Sequence, residues 1–464
     1  YNFISIAQRY EKKTVLTNDC IHSFLKGKKF HFFLYRKIFP VLQCNHFKTY
    51  YYLCRPKQSE HQTPTNVKAK TYLQIVGTLA LLFFFPMSTT AQTGTSHHST
   101  EYRIDSLKMK ELRLDIDNLF FFKNNEFKGT AIKGYTLPGA WINPKISYRP
   151  LSNIKFEAGL YMLSFSGAYK YPNYAYQDIA VWKGNHYQDG THWLPYFRGQ
   201  IALGNFNFVL GNLYGGTNHK LILPLFNPEL NLTSDPESGF QILYDTPGFH
   251  FDAWINWQSF IFETDTHQEA FIAGVTSEIR LNSSKSKWHW YVPLQFTTQH
   301  RGGELDIKGN GVQTLTNGAV GLGITQKVQG RKLKRLNWEI DAVGYYQQKG
   351  NLWPFDKGFG WYGKMGADFK NFTIQGGAFS CHKFISIMGS PFFGAVSTSK
   401  EGAYYKGHPL TTFATAEYYR TYDKLYSSYG IIVCCHSRKH FKKILTHKKY
   451  VFFFARKLGI SWQG

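Results

Sequence analysis

From residue 111 onward, apolar and polar side chains alternate at a period of two residues, not at the 3.6-residue period of an amphipathic helix. In 154–164, for example, Ile154, Phe156 and Ala158 alternate with Lys155 and Glu157. Turn residues such as Pro, Gly, Asn and Ser separate these segments. The pattern therefore predicts strands at 111–122, 141–149, 154–164, 192–203, 206–213, 239–245, 249–261, 270–281, 288–299, 318–326, 336–347, 360–369, 372–380, 410–419 and 425–433.

The links between these strands alternate regularly between short and long. Links of a few residues, such as 204–205 and 370–371, alternate with long ones, such as 165–191, 214–238 and 381–409. Trp and Tyr gather near the strand ends, as in the aromatic girdles of membrane barrels, and aromatic residues make up 18% of the chain. A soluble sandwich has no reason to place every short turn at one end. We therefore predict an all-β fold, a transmembrane antiparallel β-barrel of about 16 strands with short periplasmic turns and long outer loops.

The end of the predicted barrel is irregular. Bacterial single-chain barrels have even strand numbers, so the fifteen segments leave one closing strand to be found. Residues 431–464 carry 8 Lys and Arg and no acid, and they lack a clear alternation. The sequence therefore predicts a barrel over 111–433, followed by an aberrant basic tail at 434–464 that has lost the closing strand through a frameshift.

An apolar stretch far inside the chain has the pattern of a secretory signal peptide. Residues 67–91 hold a basic start, an apolar run of 13 residues and a small-residue exit before Gln92, which predicts cleavage between Ala91 and Gln92. The run is too short to span a bilayer as a helix; a buried core helix is the alternative. No Met precedes residue 87. Residues 1–66 are therefore interpreted as an untranslated upstream or disordered basic segment, and 92–110 as a short periplasmic segment.

The formal net charge of +24 at pH 7 would ordinarily suggest nucleic acid as a partner. The basic excess lies mostly at the two ends of the chain, since 1–66 holds 11 Lys and Arg against 3 Asp and Glu. We therefore exclude nucleic-acid binding. Between residues 92 and 430 the only cysteine is Cys381, so the exported region can form no internal disulfide.

The signal, the alternating strands and the loop asymmetry resemble those of porin-like outer-membrane barrel proteins of Gram-negative bacteria, particularly uncharacterised barrels of the Bacteroidota. The segments GYTLPGAW (134–141), YPNYAYQDIAVWKG (171–184) and GNLYGGTNHKLILPLFNPELNLT (211–233) contribute to this resemblance. It implies an outer-membrane channel for passive passage of small hydrophilic solutes. The alternative is a binding or adhesion barrel with functional outer loops and a plugged lumen. Expected partners are outer-membrane lipid, the barrel-assembly machinery and small hydrophilic solutes, with the oligomeric state open.

The alternation also assigns charged side chains to the lumen. Four are basic and seven acidic, which predicts a mild preference for cations: Lys155, Arg198, Arg280 and Lys364, and Glu157, Asp252, Glu278, Glu339, Asp341, Asp368 and Glu417. No catalytic motif, cofactor motif or metal-ligand spacing stands out, so the sequence predicts a protein that is not an enzyme and uses no cofactor.

Four weaker patterns each have a functional and a purely structural interpretation. His250 and Asp252 share a strand face and could form an acid–base pair, but no activated Ser or paired carboxylates can be placed beside them, so catalysis is disfavoured. The segment 218–220 (Asn-His-Lys) could contact an anion, but a solvated turn is favoured. Asp265, His267 and Glu269 could bind a cation, but a polar loop tip is favoured. The aromatic residues of the outer links could stack on sugars, but loop packing is favoured; they are Tyr171, Tyr174, Tyr176, Trp182, Tyr187, Trp353, Phe355, Tyr404 and Tyr405.

Overall fold

The computed structural model describes residues 102–463 except 128–134, 166–189, 261–267, 304–310, 331, 391, 397–403, 405–406, 423–424 and 440–444. The chain divides into two compact units, 1–84 and 85–464, and every element described below belongs to the second. The proposed signal peptide and its cleavage site at Ala91 and Gln92 lie outside the described residues.

The described part of the second unit is a closed antiparallel barrel in which each strand pairs with its neighbours along the chain. Its sixteen strands agree with the predicted number and with most of the predicted bounds. They are β1 (Glu111–Phe127), β2 (Tyr135–Leu151), β3 (Ile154–Phe165), β4 (Gly190–Leu203), β5 (Phe206–Asn212), β6 (Ser238–Asp245), β7 (Phe249–Ser259), β8 (Ala270–Arg280), β9 (Trp288–Arg301), β10 (Gln313–Lys327), β11 (Leu333–Lys349), β12 (Lys357–Phe369), β13 (Phe372–His382), β14 (Leu410–Tyr422), β15 (Leu425–Lys439) and β16 (Leu445–Gln463).

The expectation of a missing closing strand is wrong. β16 pairs with β15 on one side and with β1 on the other, in a continuous register from Glu111↔Gln463 to Phe127↔His447. The segment assigned to a basic tail therefore completes the ladder, and it pairs with the edge of β1 that faces away from β2, whose N–H and C=O groups would otherwise be unpaired.

The outer face of the barrel is apolar and the inner face is polar. In β3, Phe156 and Leu160 are 45% and 50% exposed, whereas Glu157 and Tyr161, each the next residue along the strand, are buried. The same alternation leaves Leu210, Leu294 and Ile340 exposed on other strands. Since side chains of period two point to opposite faces, the predicted fold class, an all-β outer-membrane-type barrel, is confirmed. Among the described residues, no helix is long and apolar enough to cross a bilayer.

Long links join the strands at one end of the barrel and short links at the other, as the sequence predicts. The first long link, expected between the predicted strands at residues 123–140, is shorter, because β1 and β2 both extend into that range. Two long segments, 213–237 and 383–395, are rich in buried residues. Segment 213–237 contains a 3-10 turn (Gly216–His219) and a short helix, α1 (Leu230–Thr233).

Candidate active site

Segment 213–237, between β5 and β6, folds into the barrel and is fixed at both ends. The backbone N–H of Leu213 donates to the C=O of Glu237 at 2.8 Å, so the segment leaves and returns at one place. The N–H of Tyr214 donates to Oε1 of Gln241 at 2.9 Å. Lys123 of β1 forms a buried ion pair with Glu229, which lies just before α1. These contacts hold the segment against the wall on two sides.

Arg198 of β4 supports the start of this segment. Its Nε and Nη2 donate to the C=O groups of Asn212 and Leu213 at 2.6 and 2.8 Å. Its guanidinium lies over the ring of Tyr214, at 3.8 Å from the centroid, and Nη1 donates to Glu157 at 3.1 Å. Two residues predicted to line the lumen, Arg198 and Glu157, are therefore buried together and orient the inward segment.

His219, at the end of the 3-10 turn, lies between two carboxylates. Its Nδ1 is 2.7 Å from Oδ2 of Asp252 on β7, and its Nε2 is 2.9 Å from Oε2 of Glu237. The imidazole stacks on the indole of Trp254, with centroids 3.5 Å apart and planes at 11°. His219 is 1% exposed and Asp252 is fully buried. We call these three residues, Asp252, His219 and Glu237, the acid–His–acid row.

The row carries a net negative charge with a proton on each imidazole nitrogen. Burial lowers the pKa of His219, but the charges of Asp252 and Glu237 outweigh burial and raise it to about 10. Burial likewise raises the pKa of Glu237, yet the imidazolium and the N–H of Gly216, which donates to Oε1 at 2.9 Å, lower it overall. At neutral pH, His219 is therefore an imidazolium and Glu237 a carboxylate.

Neighbouring strands fix the orientation of the row. Nε2 of Gln241 on β6 donates to Oδ1 of Asp252 at 2.9 Å. Trp254 lies flat across β8 because its register partner is Gly274; a Cβ there would come within 2.3 Å of the indole Cζ2. The sequence signal for this part of the site is thus a glycine opposite an inward tryptophan.

A cavity of about 280 Å³ adjoins the row. His219 and Glu237 form part of its polar wall, together with Ser234, Asp235 and Ser238. Asp235 also lies 3.2 Å from Nδ1 of His192 on β4. The remaining wall is largely apolar and is formed by side chains that include Leu194, Leu221, Leu225, Phe226, Leu230, Ile272 and Met388. The charged row thus lies beside an apolar surface.

The second inward segment, 383–395, supplies Met388 and fills the interior beside the first. The N–H of Asn227 donates to the C=O of Met388 at 2.8 Å, and Oγ of Ser386 donates to the C=O of Pro224 at 2.7 Å. Phe384 and Ile385 are fully buried in the largest apolar cluster of the described barrel. The two segments therefore support each other inside the barrel.

Most of the charges assigned to the lumen form ion pairs. Lys155 and Arg198 both contact Glu157, at 2.5 and 3.1 Å. Lys364 lies 2.7 Å from Glu339. Three more ion pairs join Asp252 with His219, Glu278 with His289 at 3.3 Å, and Asp368 with Arg335 at 2.6 Å. Arg280 donates hydrogen bonds to the C=O groups of Asn282 and Ser283. Asp341 and Glu417 are buried. Passage of ions along these groups stays a prediction.

The weaker patterns have different outcomes. His250 contacts Asp245, its register partner on β6, at 2.6 Å and not Asp252, so the proposed pair is wrong. The favoured solvated turn at 218–220 is also wrong for His219. Within the described ranges, no group of three His, Cys, Asp or Glu could hold a metal ion. Asp265 and His267 lie outside those ranges, whereas Glu269 accepts from Nε1 of Trp257 at 3.2 Å.

The structure describes three of the aromatic residues predicted for the outer links, Trp353, Phe355 and Tyr404. Trp353 is buried, and Phe355 packs edge-on against Tyr404 with centroids 5.2 Å apart. Stacking on sugars stays a prediction. Tyr171, Tyr174, Tyr176, Trp182, Tyr187 and Tyr405 lie outside the described residues.

Fold and site together define an outer-membrane-type β-barrel with a buried acid–His–acid row beside a half-apolar cavity. The model of a family described as lipid A 3'-O-deacylase-type matches residues 104–459. The chain belongs to this family. The match includes most of β16, and because the family is one of enzymes, the expectation of a protein without enzymatic activity is wrong.

Comparison with solved structures finds other outer-membrane proteins at low similarity. The loop L8 deletion mutant of OmpT from Vibrio cholerae has a TM-score of 0.43 and 7% identity, covering 74% of this chain and 98% of that one. OprD from Pseudomonas aeruginosa has a TM-score of 0.40 and 9% identity, covering 82% and 98%. Among curated proteins, none matches the chain. A relationship to the Bacteroidota barrels stays a prediction.

Proposed function

We propose that this protein is an outer-membrane esterase that removes the 3'-O-linked acyl chain of lipid A. The observation that carries the proposal is His219, buried between Asp252 and Glu237 and lining a cavity with an apolar wall. The family description supports the choice of substrate. Outer-membrane lipid, an expected partner, is in this proposal the substrate itself.

Hydrolysis needs a base for the attacking water and positive charge near the carbonyl oxygen. Glu237 is ionised and faces the cavity, so it acts as the base. It accepts a proton from a water molecule while the oxygen of that water bonds to the acyl carbon. The imidazolium of His219 stabilises the negative charge that develops on the carbonyl oxygen. The acyl–oxygen bond then breaks, and the proton held by Glu237 passes to the departing sugar oxygen. Asp252 fixes the orientation of the imidazole.

The test is mass spectrometry of lipid A from a Gram-negative host that produces the protein. We expect loss of one acyl chain with the wild type, and about 100-fold slower loss with His219→Gln or Asp252→Asn, the scale for removal of one electrostatic contact. His250→Gln is the matched control, because His250 forms a similar pair with Asp245 next to a short turn. Intact lipid A with the wild type, or full activity of His219→Gln, would overturn the proposal; migration of heated and unheated samples in gels reports folding.

A second candidate function is the passive passage of small hydrophilic solutes. Paired charges on the inner face, such as Lys364 with Glu339, are compatible with a polar path. The two inward segments instead favour the alternative predicted from the sequence, a binding barrel, because they fill the interior that a binding barrel is expected to have plugged. Single-channel recording in a planar bilayer separates them: steps of stable conductance support passage, and their absence supports a plugged barrel.

A further inference from the structure

β5 and β6 are too short to cross the membrane on their own. They contain 7 and 8 residues, whereas a transmembrane strand needs about 9–11. Seven residues at ~3.4 Å each, tilted by ~40°, reach roughly 18 Å of the ~25 Å apolar band. Both strands adjoin a short turn at one end, so the shortfall lies at the end with the long links.

The flanking strands extend beyond them, which leaves a gap in the strand ladder of the wall. Pairing between β4 and β5 starts at Arg198↔Gly211, so residues 190–197 of β4 continue past the end of β5. Pairing between β6 and β7 reaches Gly239↔Asn256, and 257–259 of β7 extend further. The gap is therefore bounded by the upper parts of β4 and β7.

The edges of the gap have side-chain partners in place of a neighbouring strand. The N–H of Phe197 donates to Oδ1 of Asn212 at 2.7 Å, and the N–H of Ser238 donates to Oδ1 of Asn256 at 3.0 Å. Pro195 has no N–H to satisfy, which suits an unpaired edge. These residues lower the cost of exposing a strand edge to hydrocarbon.

The cavity beside the acid–His–acid row reaches this gap. Its lining includes Leu194 and Pro195 on β4, and Asn256 and Trp257 on β7. Pro195 is exposed and Leu194 is half-buried, on opposite faces of the same strand. Trp193, on the outer face beside them, is 63% exposed. The lining of the cavity thus includes residues of the inner face, such as His219, and Pro195, which is exposed on the outer face.

We propose that this gap is a lateral portal through which an acyl chain of an outer-leaflet lipid enters the cavity from the membrane. The proposal rests on the proposed function only for the identity of the lipid. A chain entering between β4 and β7 meets Leu194 first and then the apolar wall, while its ester stays near Glu237. The aqueous mouth of the barrel, beside the inward segments, is not needed for entry.

Photo-crosslinking in outer-membrane vesicles tests the portal directly. Leu194→p-benzoylphenylalanine places the probe at the gap. Leu315→p-benzoylphenylalanine is the matched control, because Leu315 is a buried leucine near the same end of β10, where β9 and β11 are of full length. Leu203→p-benzoylphenylalanine, on the exposed face, shows that lipid can be captured.

We expect lipid adducts, identified by mass, at positions 194 and 203 and at least tenfold fewer at 315. Adducts at 203 alone would overturn the portal, and equal adducts at 194 and 315 would show that lipid fills the interior generally, which also overturns it. The measurement needs no turnover. Repeating it with His219→Gln therefore separates failure of the portal from failure of the esterase proposal.

Discussion

Titration of His219 should destabilise the barrel at alkaline pH by an amount that follows from its surroundings. The folded protein raises the pKa of His219 from 6.5 to about 10 because Asp252 and Glu237 outweigh burial. A raised pKa adds stability that is complete below pH 6.5 and is lost as the pH rises through about 10. The difference corresponds to about 5 kcal/mol in total, or ~1.4 kcal/mol per pH unit across that interval.

The assay is guanidinium unfolding in detergent micelles at several pH values from 6 to 11. The quantity of interest is the free energy of unfolding of the wild type minus that of His219→Gln, which cancels the titration of distant groups. We expect this difference to fall steadily above pH 6.5 and to level off above about pH 10. His250→Gln should retain the alkaline decline. An equal pH dependence of wild type and His219→Gln would refute the electrostatic account of the row.

Other predictions concern the supports of the site and the barrel. Gly274→Ala should lower deacylation about tenfold by displacing Trp254 from His219, whereas Gly344→Ala, with nothing within 4 Å of its added Cβ, should not. Arg198→Met should destabilise the protein by about 3–5 kcal/mol in denaturant unfolding, because it breaks a buried network. Arg335→Met, at a side chain 41% exposed, should cost less than about 1 kcal/mol. Truncation after residue 439 removes β16 and should abolish the heat-modifiable band in gels; an intact band would contradict the closure described here. A water-soluble maleimide should label Asn256→Cys, at the cavity, more strongly than Ile255→Cys on the outer face; the reverse order would contradict the assigned orientation of β7.

The fold was largely predictable because period-two alternation is local. Each inward residue of β3 or β7 is flanked by outward ones, so the strand and its orientation follow from a few consecutive residues. The closing strand is not evident from the sequence because the run from 445 to 463 mixes one lysine pair, Lys448-Lys449, with three consecutive phenylalanines. Its pairing with β1, more than 300 residues earlier, is a long-range property that no short window shows.

The site was much less predictable than the barrel. The alternation of β7 includes Asp252, but its partner His219 lies 33 residues earlier, in a segment without periodicity. Only the inward fold of 213–237 brings His219 and Glu237 to Asp252. A polar Asn-His-Lys run has the composition of a surface turn, and composition alone carries no information about inward folding. Two signals are available in the sequence: the inward Asp252, and Trp254 opposite Gly274. Both indicate a site on the barrel wall, and neither indicates that segment 213–237 contributes to it.

The three members of the acid–His–acid row all lie between residues 219 and 252. Two of them are on segment 213–237, and Asp252 is on β7. Part of the apolar wall comes from Met388, on a segment between β13 and β14 at the far end of the chain. Met388 is therefore encoded far from the row, whereas other residues of the apolar wall, such as Leu225 and Leu230, lie in the same segment as His219 and Glu237. If the proposed esterase activity holds, mutation of the later segment can change the fit of the acyl chain at Met388 without altering His219, Glu237 or Asp252.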